Sequence, residues 1–384
     1  MDDQMVMDDQ MLDQDQFQPY RALYVHIPFC KKRCAYCDFT TEAIESGDPR
    51  IESYMDSLIM KIRRYSRQEI LGQLETVYIG GGTPSHIGNK ELSRLIYTLS
   101  LSMHLTPEVE CTMEANPESL TLPMVKDIFA LGVTRLSMGV QSFDNEVLQT
   151  LGRIHSASQA VEAIKTAQVR FDNISIDLMC GIPGQSHQSF VDSVSKALAL
   201  EIPHISIYPL SIEEGTPFEK RISQGLTEDI DPDTQASMMQ EAEELLFAAG
   251  YHRYEVASYA RPGHECRHNK AYWTGVPYLG IGRGAVSMKQ NDHQRIRFNE
   301  EGVIETLNRP QMLVEDLYLG MRMSEGVSKE YVERIDREIE GTLDTFESLI
   351  DDNLVYDDAG RLKPTEKGWL LGNVLYGRIY SLEP

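Results

Sequence analysis

Three cysteines fall within eight residues, in the run His26-Ile-Pro-Phe-Cys30-Lys-Lys-Arg-Cys34-Ala-Tyr-Cys37. The spacing C-x3-C-x2-C lets one loop wrap a cubane and turn three thiolates inward, and three ligands for the irons of a [4Fe–4S] cluster leave one iron open. The amino and carboxylate groups of S-adenosylmethionine (SAM) can chelate that iron, so that an electron reaching the cluster cleaves the adjacent sulfonium C–S bond homolytically. A zinc ion completed by His26 is the competing reading, although closed zinc sites favour paired short spacings. Tyr36, inside the loop, either offers an aromatic face to the adenine or simply packs beside it.

A second element follows on the next strand. Thr76-Val-Tyr-Ile runs straight into Gly80-Gly81-Gly82-Thr83-Pro84, and glycines at a strand exit let a backbone approach a ligand where side chains would block it. Paired with the cysteine triad, this edge is expected to meet the methionine ammonium of SAM. Further polar residues recur at strand ends. Glu114 suits the ammonium, Arg153 the carboxylate as a charge-assisted fork, and Gln141 and Asp177 the ribose hydroxyls. Each could equally serve as a rim ion pair or cap. Cys111 and Cys180 lie in or beside apolar strands and read as packing residues.

These residues need a frame. Short β-branched or apolar runs at 22–27, 76–80, 109–113, 134–138, 173–179 and 204–209 read as strands. The helices between them are at 51–69, 88–103, 121–131, 144–150, 156–169, 187–199 and 233–249, with Ser85, Ser158 and Asp233 as candidate caps. The fold class is α/β: six parallel strands with right-handed crossovers predict a partial (β/α)6 barrel with chemistry at its carboxyl rim. Residues 1–20 read as a disordered acidic tail and 21–250 as the core domain. Residues 251–305 form a segment dense in aromatics, Arg and Gly. From 306 to 384, helices at 309–323, 328–337 and 342–350, a hairpin at 353–364 and a last helix from Glu366 predict a mainly helical, winged-helix-like domain.

Composition narrows the partners. The net charge of −23, from 59 acidic and 36 basic residues, disfavours nucleic acid or a lipid surface as the main partner. Six cysteines in 384 residues are too few for a disulfide scaffold, and their clustering points to reduced thiolates in a reducing compartment. With no signal-like or membrane-spanning stretch, a cytoplasmic location is expected. The basic run Lys31-Lys32-Arg33 could steer an acidic electron donor such as a flavodoxin or ferredoxin, or be a solvated loop.

Tyr24-Val-His-Ile-Pro-Phe-Cys30, Gly80-Gly-Gly-Thr-Pro84, Met138-Gly-Val-Gln-Ser-Phe143 and Asp177-Leu-Met-Cys-Gly-Ile-Pro-Gly184 resemble the HemN/HemW family of radical SAM proteins. The resemblance covers almost everything after residue 20. It implies SAM contacts for Tyr24, Gly81, Gly82, Thr83, Glu114, Gln141, Arg153 and Asp177. One branch of the family oxidatively decarboxylates coproporphyrinogen III, and the other comprises chaperones that bind heme and deliver it to acceptor proteins.

Three features favour the heme branch. Asp38-Phe39 follows Cys37 where the dehydrogenases carry a fourth cysteine. Only an acidic tail precedes Leu23, in place of a closing arm. His268-Asn-Lys-Ala-Tyr272-Trp273 matches a motif associated with heme binding. Physically it offers an imidazole for iron, with Cys266 and His264 as further candidates, and two aromatic faces; Tyr and Trp at such a junction are also ordinary core residues. Gly282-Arg-Gly-Ala-Val286 departs from the family, which usually has a histidine at position 286. Heme binding without dehydrogenase activity is therefore expected, the alternative being the dehydrogenase or another radical SAM enzyme. A nucleic-acid-modifying enzyme is disfavoured by the acidity and by a last helix whose basic residues are Lys367 and Arg378.

Overall fold

A computed structural model of the chain describes residues 17–382 apart from 69–70, 104 and 229–230. Six parallel strands lie side by side in chain order: β1 (Tyr20–Ile27), β2 (Leu71–Gly81), β3 (Leu105–Ala115), β4 (Arg135–Gln141), β5 (Ile174–Cys180) and β6 (His204–Pro209). Each sequence-predicted strand overlaps one of these, those at 134–138 and 173–179 starting one residue early. Most of the proposed tail, 1–16, lies outside the described residues. Its end at residue 20 needs correction: Tyr20 is buried and opens β1, and the backbone N–H of Gln18 donates to the Gln290 carbonyl.

The strands alternate in a way that decides the chemistry. One set, including Val77, Ile79, Met113, Leu136, Met138, Ile176 and Ile207, joins the main apolar core beneath the crossover helices. Burying each such side chain contributes about 1.5–3 kcal/mol. The alternate set is polar: Thr76 and Tyr78, Glu110, Thr112 and Glu114, Arg135 and Ser137, Ser175 and Asp177, His204 and Ser206. Strand register puts these in rows, with Ser137 opposite Ser175 and Asp177 between Gly139 and Ser206. The barrel interior is thus polar where a purely structural core would be aliphatic.

Helix starts differ from the expected caps. The helix Ala157–Ala167 is capped by Ser156 in a reciprocal box with Gln159, and Pro232–Ala248 by Asp231, with Pro232 in the first turn. Asn89–Ser102 begins after Gly88 with no side-chain cap; Ser85 instead pairs with Ser119 at 2.6 Å.

Residues 251–308 extend the sheet at both edges. Tyr278–Ile281 adds a strand parallel to β1, followed by an antiparallel meander, Ser287–Gln290, Gln294–Asn299 and Gly302–Asn308. Ser258–Ala260 pairs antiparallel with β6. The C-terminal region has its own core around Val314, Leu317, Phe346 and Leu375. Its order of helix, short strand, two helices and the hairpin Val355–Asp358/Arg361–Pro364 is that of a winged helix. No described helix is long and apolar enough to cross a membrane.

Candidate functional site

The cysteine loop sits over the carboxyl rim and is pinned there by backbone. Ala35 N–H donates to the Leu151 carbonyl, Phe218 N–H to that of Ala35, and Cys37 N–H to that of Cys34. Arg33 Nε adds a bond to the Cys37 carbonyl at 3.1 Å. All three thiols are free and border one cavity of about 140 Å³. Burial pushes the Cys30 thiol up to about 11 and raises that of Cys37, so a cationic cluster core would supply the charge that holds them as thiolates. Thr83 Oγ1 donates to Cys30 Sγ at 3.5 Å and Arg153 Nη1 to Cys34 Sγ at 3.4 Å. His26 is already engaged, Nδ1 with the Tyr24 hydroxyl at 2.9 Å and Nε2 with the Thr40 carbonyl at 3.0 Å. That arrangement argues against a zinc ion completed by this imidazole.

The glycine edge closes the cavity opposite the thiols. A Cβ at Gly82 would lie 2.8 Å from Cys30 Sγ, and one at Gly81, where φ is 121°, would strike the His26 ring. Only glycine fits either position. Glu114 is held by Gly81 N–H at 3.0 Å and by the Tyr78 hydroxyl at 2.9 Å. Burial nevertheless pushes its carboxyl up to about 7, and burial pushes Asp177 up to about 6. Two carboxyl groups poised near neutrality in a buried cavity ionise when a cation arrives. Gln141 is a non-glycine residue at φ 67°, a conformation that costs energy and turns its side chain into the cavity. Arg153 donates from Nη2 to Asn116 Oδ1 at 2.8 Å and to the Gly139 carbonyl at 2.6 Å, while its Nε is buried without a partner.

The structure therefore brings together Cys30, Cys34, Tyr36, Cys37, Gly81, Gly82, Thr83, Glu114, Gln141, Arg153 and Asp177 on one wall. Tyr24 stands behind it, bonded to His26. Asn116, Ser137 and Gly139 line the same cavity and were missed. Asn116 lies two residues past Glu114 at the same strand end, and Ser137 and Gly139 alternate inward on β4, so the criterion that found Glu114 reaches them too.

The His268 motif needs a correction. His268 is 1% exposed; its Nδ1 pairs with Thr76 Oγ1 at 2.8 Å and its Nε2 with the Tyr272 hydroxyl at 3.2 Å. Its ring stacks on Tyr78, and burial lowers its pKa to about 3. As placed, it offers iron no free nitrogen. Cys266 is equally buried, with its thiol against Glu110. His264 pairs with Asn173 at 3.3 Å. Glu110 also accepts from the backbone N–H groups of Arg267 and His268 at 3.0 and 3.1 Å, satisfying the start of the helix Arg267–Trp273. His268 is thus a strut fixing that helix to the barrel floor. Tyr272 and Trp273 do face a cavity, described below. Val286 borders neither that cavity nor the one at the cysteine loop.

A parallel partial barrel with a three-cysteine loop at its rim and a winged-helix-like end is a radical SAM architecture. The model of the Radical SAM superfamily matches residues 24–197, and that of the HemN C-terminal domain residues 307–371. The chain is 33% identical over 379 residues to heme chaperone HemW of Lactococcus lactis, covering 93% of this chain and 97% of that protein. It is 30% identical to heme chaperone HemW of Bacillus subtilis, covering 93% and 98% respectively. Coproporphyrinogen III oxidase from Escherichia coli has the same fold, with a TM-score of 0.81 at 21% identity over 97% of this chain and 92% of that one. The chain belongs to the HemW family.

Proposed function

We propose that the protein carries a [4Fe–4S] cluster on Cys30, Cys34 and Cys37, binds SAM against the glycine edge, and binds heme for delivery to an acceptor protein. The observation that carries the cluster and SAM is the shared wall of three free thiols, the Gly81–Gly82 backbone, two near-neutral buried carboxyls and one guanidinium. When bound, the cluster supplies the electron that cleaves SAM. The residues of the chain hold and orient. Glu114 receives the ammonium beside the glycine edge, Arg153 the carboxylate, Gln141 and Asp177 the ribose, and Tyr36 packs on the adenine. Tyr24 supports this wall through His26. Heme delivery is supported by the HemW relatives and by Phe39, which stands where the dehydrogenases have a fourth cysteine. An electron donor such as flavodoxin or ferredoxin and a cytoplasmic setting follow from Lys31-Lys32-Arg33 and the reduced thiols.

The test is anaerobic reconstitution of one sample, followed by iron and sulfide analysis, hemin titration, and an assay with coproporphyrinogen III and SAM. The expected result is about four irons and four sulfides per chain, a saturable Soret change and no porphyrinogen turnover. One tightly bound zinc without sulfide would remove the cluster. Turnover of coproporphyrinogen III would replace the chaperone with the dehydrogenase.

A further inference from the structure

Beyond the cysteine loop, the polar interior opens into a second space. A cavity of about 310 Å³ inside the barrel shares Tyr36, Glu114, Gln141 and Asp177 with the cluster cavity. It shares Tyr208 and Asn269 with a third cavity of about 720 Å³ between the barrel and the C-terminal region. That volume is in the range of small-molecule and cofactor sites. Both tryptophans of the chain, Trp273 and Trp369, stand on its wall with Tyr208 and Tyr272, giving broad aromatic faces to a planar ligand.

The wall also carries Arg322, a cation outside any close ion pair, with the buried carboxyl of Glu255 on the same wall acting on it at longer range. The Arg322 guanidinium lies 4.4 Å from the Trp273 ring centre, with Tyr376 at 5.3 Å and Tyr318 at 5.6 Å. Its Nη1 donates to the Tyr318 hydroxyl at 3.0 Å, and its Nε is buried without a partner. Among the described residues, no carboxylate forms an ion pair with it, whereas neighbouring Arg253 has Glu243 at 2.8 Å. An aromatic cage holds Arg322 in place, and a ligand carboxylate would be its first close, hydrogen-bonded ionic partner. No histidine or cysteine borders the cavity; of its phenols Tyr272 is bonded to His268 and Tyr208 to Ser206, which leaves the thioether of Met239, a ligand that holds heme iron beside a histidine.

We infer that this cavity is a tetrapyrrole chamber that grips its ligand by ring face and carboxylate, with Arg322 receiving a propionate, and not through a protein ligand to iron. The inference rests on the proposal that the chain binds heme. It makes binding indifferent to the metal, contrary to the axial roles expected for His268 and Cys266.

The test titrates the full-length, cluster-reconstituted protein with hemin and with metal-free protoporphyrin IX. The two should bind within about fivefold of each other. Arg322→Gln should weaken both about tenfold, as the loss of one charge-assisted hydrogen bond, and leave binding of protoporphyrin IX dimethyl ester unchanged. Ala236→Trp, which fills the cavity from a partly exposed helix position, should weaken all three. His268→Ala with Cys266→Ser should leave the Soret maximum in place. Hemin saturating while metal-free porphyrin binds about a hundredfold weaker, or hemin binding untouched by Arg322→Gln and Ala236→Trp alike, overturns the chamber and leaves the heme reading standing. If hemin gives no saturable change with the unaltered protein, the heme reading itself fails and the inference falls with it.

Discussion

At the cysteine loop the cavity wall is made of thiols, glycine backbone and buried carboxyls, most of them within a few residues of a strand end. At the junction with the C-terminal region it is made chiefly of indoles, phenols and guanidiniums, with the single buried carboxyl of Glu255, drawn mainly from 207–209, 253–257, 269–273, 322 and 369–373. The first wall suits a small, charged ligand held by many short polar contacts. The second suits a broad, planar one held by faces. Polar rows inside the barrel join the two, and Asn269 and Tyr208 border the passage on one side as Glu114 and Asp177 do on the other. The two ends are therefore separable by mutation even though they share an interior.

The largest effect should come from the buried carboxyl at the cluster end. Glu114 is raised from 4.5 to about 7 in the folded protein, so folding favours its protonated form. The associated stability is complete below pH 4.5 and is lost as pH rises through 7, up to about 3 kcal/mol in all. Asp177, raised from 3.8 to about 6, contributes the lower part of the same decline, while His26, His204 and His268, whose pKa values burial lowers, act in the opposite sense as the unfolded chain loses their protons between pH 6 and 7. In SAM-free protein, Glu114→Gln should remove the falling contribution, so that stability changes more positively from pH 6 to 7 than in the unaltered protein, as followed by urea unfolding under anaerobic conditions. Coincident slopes for the two proteins would show that this carboxyl is not poised by burial.

The contrast between the ends also explains what the sequence discloses. Cys30, Cys34 and Cys37 share one loop, and Gly81, Glu114, Gln141 and Asp177 each end or nearly end a strand, so local spacing and βα rhythm were enough to gather them. Asn116 obeyed the same rule and was passed over. The polar rows escaped notice because in a parallel strand both faces are covered, and a Thr, Ser or Arg every second residue reads as noise until register aligns it with its neighbours. The sheet extensions after residue 251 were hidden for another reason: Tyr278–Ile281 is four residues long and joins β1 across more than 250 positions of chain. His268 shows the reverse failure. A motif with an imidazole beside aromatics invites a metal, but Thr76, almost two hundred residues away, takes one of its nitrogens.

A smaller effect should sharpen the comparison at the cluster end alone. Lys31 and Lys32 are exposed, whereas Arg33 supports the loop through Cys37, so reversal of the two lysines to glutamate spares the fold. Cluster reduction by an acidic flavodoxin should slow about three- to tenfold at low salt and recover at high salt, with dithionite reduction unchanged. Equal rates with the flavodoxin at low salt would discard a docking role for this run. Heme affinity should not move in either case.

The separation of the two ends is tested most directly by one measurement on the variant Cys34→Ala: a hemin titration beside a SAM-binding titration, each compared with the unaltered protein. The account predicts loss of the cluster and of SAM binding with hemin affinity retained within about threefold. Loss of saturable hemin binding together with the cluster, in a variant whose circular dichroism matches the unaltered protein, would put heme at the cysteine loop and contradict the account.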